Sequence, residues 1–154
     1  MFSILKKKIE IKELKSIAEK LANKSSIGNI YLLNGELGVG KTTFARFFIN
    51  ELFRKYKIKE PISIKSPSFP ILINYSLKKF DILHYDLYRL KNENEIIELD
   101  IIENLKKNIT IIEWPKIIKN YLKLDEYISI DLKFISSKKR NINIVHVNKY
   151  YLDE

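Results

Sequence analysis

Cysteine is missing altogether from the 154-residue chain, which removes a disulfide framework, a thiolate metal centre and a cysteine nucleophile together. Histidine is nearly as scarce. His84 and His146 leave little room for an imidazole-based metal site. No apolar run approaches the length needed to cross a bilayer. Residues 1–8 place charge after a very short apolar run, the reverse of a secretory leader, so a cytoplasmic, non-membrane protein is expected. No repeat, low-complexity block or Pro/Gly-rich linker interrupts the sequence, and its length suits one domain over residues 1–154. Arginine is also rare. The 28 basic residues include only Arg46, Arg54, Arg89 and Arg140, and the net charge is +9. A basic surface admits a nucleic-acid or an acidic protein partner. Specific phosphate and base recognition leans more on arginine, so a lysine-rich composition alone accounts for the charge equally well.

Residues 10–23 space Leu14, Ile17, Ala18 and Leu21 as an amphipathic helix. Residues 30–33 suit a buried strand, and residues 34–40 form a glycine-rich loop. From Lys41 to about Tyr56, the residues Phe44, Phe47, Phe48 and Leu52 share a helical stripe. Three of the four prolines fall within residues 61–70, which predicts an irregular loop. Residues 71–75 and 80–85 read as strands joined by a polar turn at Lys78 and Lys79. Residues 92–106 read as a helix, with Ile96, Ile97, Leu99 and Ile101 as its apolar positions. The β-branched run 109–112 fits a central strand buried on both faces. Residues 117–122 suggest a short helix, and 127–135 and 142–147 suggest outer strands with one wetter face.

The sharpest feature is Gly35-Glu36-Leu37-Gly38-Val39-Gly40-Lys41-Thr42, which matches G-x-x-x-x-G-K-[ST] with a strand before it and a helix after it. Such a loop turns its backbone N–H groups onto phosphate oxygens, and the following helix adds its positive end. Lys41 is expected to reach the β- and γ-phosphates and Thr42 to place its hydroxyl on Mg²⁺. The site also needs a metal-side carboxylate near the C-terminal end of a neighbouring strand. Asp86 and Glu113 both stand there, whereas Asp81 is at the wrong end of its strand. One division of labour has Asp86 holding Mg²⁺ through water and Glu113 orienting the attacking water or sensing the γ-phosphate. A hydroxyl from Ser66 or Ser68 could reach the metal or γ-phosphate. Arg89 could stabilise phosphate charge or pair with a surface acid. His84 could belong to the core or the site, and Trp114, the one tryptophan, could cover the site or pack in the core, the core being the favoured expectation. No N-K-x-D or D-x-x-G is present, so ATP rather than GTP is the expected nucleotide. A stand-alone small-molecule kinase is the alternative, although the stretch 116–140 is short for a lid plus an acceptor pocket.

The P-loop, extended by Thr43-Phe44, is followed in order by Ser66-Pro67-Ser68-Phe69, by His84-Tyr85-Asp86-Leu87-Tyr88-Arg89-Leu90 and by Ile112-Glu113-Trp114-Pro115. This succession resembles the TsaE family, the ATPase component of bacterial tRNA threonylcarbamoyladenosine (t6A) biosynthesis, over about residues 10–135. The resemblance implies a three-layer α/β P-loop NTPase-like fold, with a mostly parallel central sheet and antiparallel edge strands. It implies nucleotide contacts from Glu36, Leu37, Gly38, Val39, Gly40, Lys41, Thr42, Thr43 and Trp114. Metal contacts are implied for Thr42, Ser68, Asp86 and Glu113, and catalytic roles for Lys41, Asp86 and Glu113. It further implies Mg²⁺-dependent ATP hydrolysis that is weak alone and stimulated by a TsaB–TsaD heterodimer, which carries out the transfer to tRNA. Contact with tRNA would then be indirect. Glu36 stands where the family usually has Asp, and Asp100 where it often has Gly.

Overall fold

The computed structural model describes residues 2–146, with side chains from residue 5. Its seven strands are β1 (Phe2–Glu10), β2 (Ile30–Asn34), β3 (Leu72–Ser76), β4 (Asp81–Asp86), β5 (Ile109–Glu113), β6 (Ile128–Phe134) and β7 (Lys139–His146). They form one sheet in the order β1-β7-β6-β2-β5-β4-β3. The four middle strands β6, β2, β5 and β4 run parallel, and the outer pairings β1–β7, β6–β7 and β3–β4 are antiparallel. This is the expected α/β sheet, mostly parallel at its centre with antiparallel edges.

Helix α1 (Leu14–Lys24) buries Leu14, Ile17, Ala18, Leu21 and Ala22, the i, i+3, i+4, i+7, i+8 set of a single face. Its entry is fixed by Glu13, whose carboxylate accepts the Glu10 N–H at 2.7 Å. Helix α2 (Lys41–Lys55) turns Phe44, Ala45, Phe48, Ile49, Leu52 and Phe53 inward. The Phe48 ring lies 4.6 Å from that of Tyr31 on β2, and truncating this fully buried ring to alanine would cost about 3–5 kcal/mol. The two helices cover one face of the sheet together with Leu33, Ile82, Ile109, Ile111 and Ile130. On the other face, the short helices α3 (Asn94–Glu98) and α4 (Ile101–Leu105) and the 3₁₀ turn Ile118–Tyr121 cover Leu32, Leu83, Tyr85 and Ile112.

Three expectations need correction. Strand β1 is an addition to the expected set; it occupies the edge, so β6 and β7 lie inside the sheet, with β6 parallel to β2. The lysine run 6–8 hides its alternation, and exposed lysines are what keep a sheet edge from pairing with other chains. The helix expected over 92–106 is two helices, broken where Asp100 adopts left-handed φ 49°. Ile96 and Ile101 are buried beneath the break, while Ile97 and Leu99 are exposed. Finally, β7 begins at Lys139, ahead of the expected start; Val147, expected in the same strand, lies outside the described residues.

Candidate functional site

Strand β2 delivers the chain into the loop 35–40, and α2 carries it away. Gly35 has φ +145°, and a Cβ there would stand 2.6 Å from the Leu132 carbonyl oxygen and 2.7 Å from Val39 Cγ1. Only glycine fits so close to β6. At the far end of the loop, Gly40 precedes α2 with no side chain capping the helix, so its first-turn N–H groups remain available to an anion. Lys41 is 4% exposed. Its Nζ donates to the carbonyl oxygens of Gly35 and Glu36, each at 2.8 Å, and lies 4.0 Å from the centre of the Trp114 ring. Burial pulls the Lys41 ammonium below its ordinary range, against the opposing pull of the Glu113 and Asp86 carboxylates.

Those carboxylates are placed by parallel pairing. Asp86 ends β4, Glu113 ends β5, and the two are register partners. Residues in register on parallel strands point to the same face, which here is the α2 face. Glu113, 2% exposed, accepts the Thr42 hydroxyl at 3.0 Å on both oxygens, and its Oε1 lies 2.8 Å from His84 Nε2. Asp86 accepts the Ser66 hydroxyl at 2.9 Å on Oδ2 and the Tyr88 N–H at 3.0 Å on Oδ1. The Leu87 N–H donates to the Glu113 carbonyl at 3.0 Å. The two strand ends and the loop carrying Ser66 therefore form one hydrogen-bonded unit facing the start of α2.

Lys41, Thr42, Asp86 and Glu113 thus converge. Glu36 and Leu37 are on the rim, Gly38 and Gly40 turn the loop, and Thr43 is half-buried beside Thr42. Ser66, rather than Ser68, is the hydroxyl bonded to Asp86; Ser68 is exposed two residues further on. Trp114 is not a core residue. It is half-buried at left-handed φ 57°, with its ring against Lys41 and 4.8 Å from that of Tyr88. The Arg89 guanidinium lies 4.3 Å from the centre of the Phe69 ring. His84 belongs to the site floor. The residue that sequence reasoning misses is Arg140, which is buried on β7 and donates from Nε to the Val39 carbonyl at 2.8 Å. It shares the inward face of β7 with Ile142 and Ile144 but lies ahead of the start expected for that strand.

A groove of about 1420 Å³ borders the loop, walled by Gly35, Glu36, Tyr88, Trp114, Lys6 and Lys133 among others. Lys41, Thr42, Asp86 and Glu113 are not among its walls. Among the described residues, no helix is long and apolar enough to cross a membrane.

The family profile described as threonylcarbamoyl adenosine biosynthesis protein TsaE matches residues 9–142. A tRNA threonylcarbamoyladenosine biosynthesis protein TsaE from Rickettsia bellii is 45% identical over 134 residues, covering 87% of this chain and 89% of its own length. The protein of the same name from Bacillus subtilis is 30% identical, covering 90% of this chain and 83% of its own. The crystal structure of Bacillus subtilis YdiB has a similar fold, with a TM-score of 0.67 at 24% identity over 96% of this chain and 88% of that one. With a glycine-rich loop opening onto paired strand-end carboxylates and a profile match over most of its length, the chain belongs to the TsaE family of threonylcarbamoyladenosine biosynthesis proteins.

Proposed function

We propose that this protein binds ATP with Mg²⁺, hydrolyses it slowly, and serves tRNA threonylcarbamoyladenosine formation in the cytoplasm by acting on a TsaB–TsaD heterodimer. The observation that carries the nucleotide half is the convergence of Lys41 and Thr42, at the start of α2, on the in-register carboxylates Asp86 and Glu113. Relatives bearing the biosynthesis name support the biological half.

The donor set fits the metal. Among the described residues, no group of three His, Cys, Asp or Glu side chains is arranged to hold an ion. The available groups are carboxylates and hydroxyls, which suit Mg²⁺, an ion that keeps several waters and takes one or two carboxylates plus substrate phosphates. Thr42 and Asp86 would hold it, with Glu113 adjacent; Ser68 would join only if its loop closed. When bound, Mg²⁺ neutralises charge on the β- and γ-phosphates. Lys41 would exchange the Gly35 and Glu36 carbonyls for phosphate oxygens, and the first-turn N–H groups of α2 would face the same anion. Glu113, held out of bulk water, would orient the attacking water. Catalysis then rests on positioning and charge.

The test is Mg²⁺-dependent ATP turnover of the purified protein with and without the TsaB–TsaD pair of its organism. Weak turnover that rises with the pair is the expected result. Turnover indifferent to the pair would leave the site standing and overturn the partnership. Phosphate transfer to a metabolite without any partner would favour the kinase alternative.

A further inference from the structure

His84 occupies the middle of a strand where an isoleucine would pack at no polar cost. It is fully buried, and its neighbours on the same face of β4, two residues away on either side, are Ile82 in the core and Asp86 in the site. A buried imidazole kept for packing would be expected to satisfy both nitrogens. Here Nε2 faces Glu113 Oε1 at 2.8 Å, while Nδ1 has no hydrogen-bond partner among the described residues. One nitrogen is thus bonded at the expense of the other, and departures of this kind concentrate at functional sites.

We infer that His84 is a positioning residue that holds the Glu113 carboxylate for hydrolysis. The inference rests on the ATPase reading above. A carboxylate only accepts, so Nε2 carries the proton of this bond. Among the described residues, Glu113 has two side-chain donors, Thr42 and His84. Thr42 would offer an oxygen lone pair to the proposed Mg²⁺ while its O–H still donates, so His84 is the donor whose bond to Glu113 does not depend on the ion. Its bond to Oε1 fixes the rotation of the carboxylate about its last torsion, a broad and soft one, and leaves Oε2 turned toward the start of α2. Without the imidazole, Glu113 would be held in the loaded site by the Thr42 hydroxyl alone, a group shared with the ion. Nucleotide affinity, which rests on the loop and Lys41, would not depend on it.

Two readouts test this. Imidazole nitrogen shifts of the wild-type protein need no nucleotide. The chain has only two histidines, and a His84→Gln spectrum assigns the pair. A protonated Nε2 on His84 is expected, and an unprotonated one overturns the inference. In Mg²⁺-ATP kinetics, His84→Leu should lower kcat by about 10- to 100-fold, as loss of a supporting hydrogen bond does at other sites, with ATP affinity unchanged. His84→Gln, whose amide nitrogen reaches about as far as Nε2, should recover most of the rate. Unchanged kcat in His84→Leu overturns the role. So does a parallel loss of kcat, ATP affinity and melting temperature in both variants, which marks a structural histidine. Absence of turnover in the wild type overturns the ATPase reading instead, and the nitrogen shifts still decide the contact.

Discussion

Arg140 reaches from β7 to the glycine-rich loop of residues 35–40, donating from Nε to the Val39 carbonyl at 2.8 Å. The same guanidinium donates to the carbonyls of Ser136 and Lys139 at 2.6 and 2.9 Å, and it lies 4.3 Å from the centre of the Phe134 ring on β6. One side chain therefore ties the back of the loop to the far side of the sheet. Arg140→Met keeps the apolar stem and removes the donor to the carbonyl of buried Val39, while the Lys139 carbonyl still accepts the Ile135 and Ser136 N–H groups. It is expected to destabilise the fold by about 1–3 kcal/mol and to weaken ATP binding. Urea unfolding and a fluorescent-nucleotide titration check the two effects separately.

Lys41 links the site to alkaline stability. Burial lowers its folded-state value below 10.5, so between that lowered value and 10.5 the unfolded chain binds more protons. The Lys41 contribution to stability therefore rises with pH across this window. Lys41→Met removes the titration and the proposed phosphate contact together. The stability of the wild type relative to this variant should increase as pH climbs toward 10.5, and the variant should fail to bind ATP. A flat difference would show that Lys41 is hydrated in solution.

Tyr85 works in the opposite sense. It is buried on the face away from α2, its hydroxyl has no hydrogen-bond partner among the described residues, and burial pushes it up to about 12. Its folded value is raised above the ordinary 10, so its contribution is intact below pH 10 and is lost as pH rises toward 12. Tyr85→Phe removes the stranded hydroxyl. Stability at neutral pH should be unchanged or up by about 1 kcal/mol, and denaturation at high pH should differ from that of the wild type by the loss of this one titration.

Asp100 sits at φ 49° and ψ 30° between α3 and α4, a conformation that costs a residue bearing a Cβ about 1–2 kcal/mol. Asp is among the residues that tolerate it best. Asp100→Gly should raise stability by about 0.5–1 kcal/mol, less than the full penalty because glycine loses more entropy on folding. The urea midpoint is the measurement, and ATP turnover should not move.

What the residues reveal in advance follows from how local each signal is. The phosphate loop is contiguous, so strand, glycines, Lys41 and Thr42 can be read in one stretch. Asp86 and Glu113 are legible as strand-end acids because β4 and β5 are short apolar runs with a clear C-terminal boundary. Their convergence requires the parallel pairing of two distant segments. The choice of Ser66 over Ser68 depends on the path of a proline-rich loop that has no periodicity. The position of Trp114 depends on a left-handed turn that no bulky residue signals. Arg140 and β1 are hidden for a common reason: both lie in lysine-rich stretches, which look like solvated segments.

The pairing of β4 with β5 also sets when the site comes into being during folding. The loop and α2 can form from neighbouring residues, but the carboxylates reach them only after parallel strands from distant parts of the chain have joined, and such non-local contacts form slowly. A half-folded chain would carry a phosphate-gripping loop without the groups proposed to act on what it grips. Nucleotide capture by nascent or damaged molecules would then be chemically silent, and turnover would report a completed sheet.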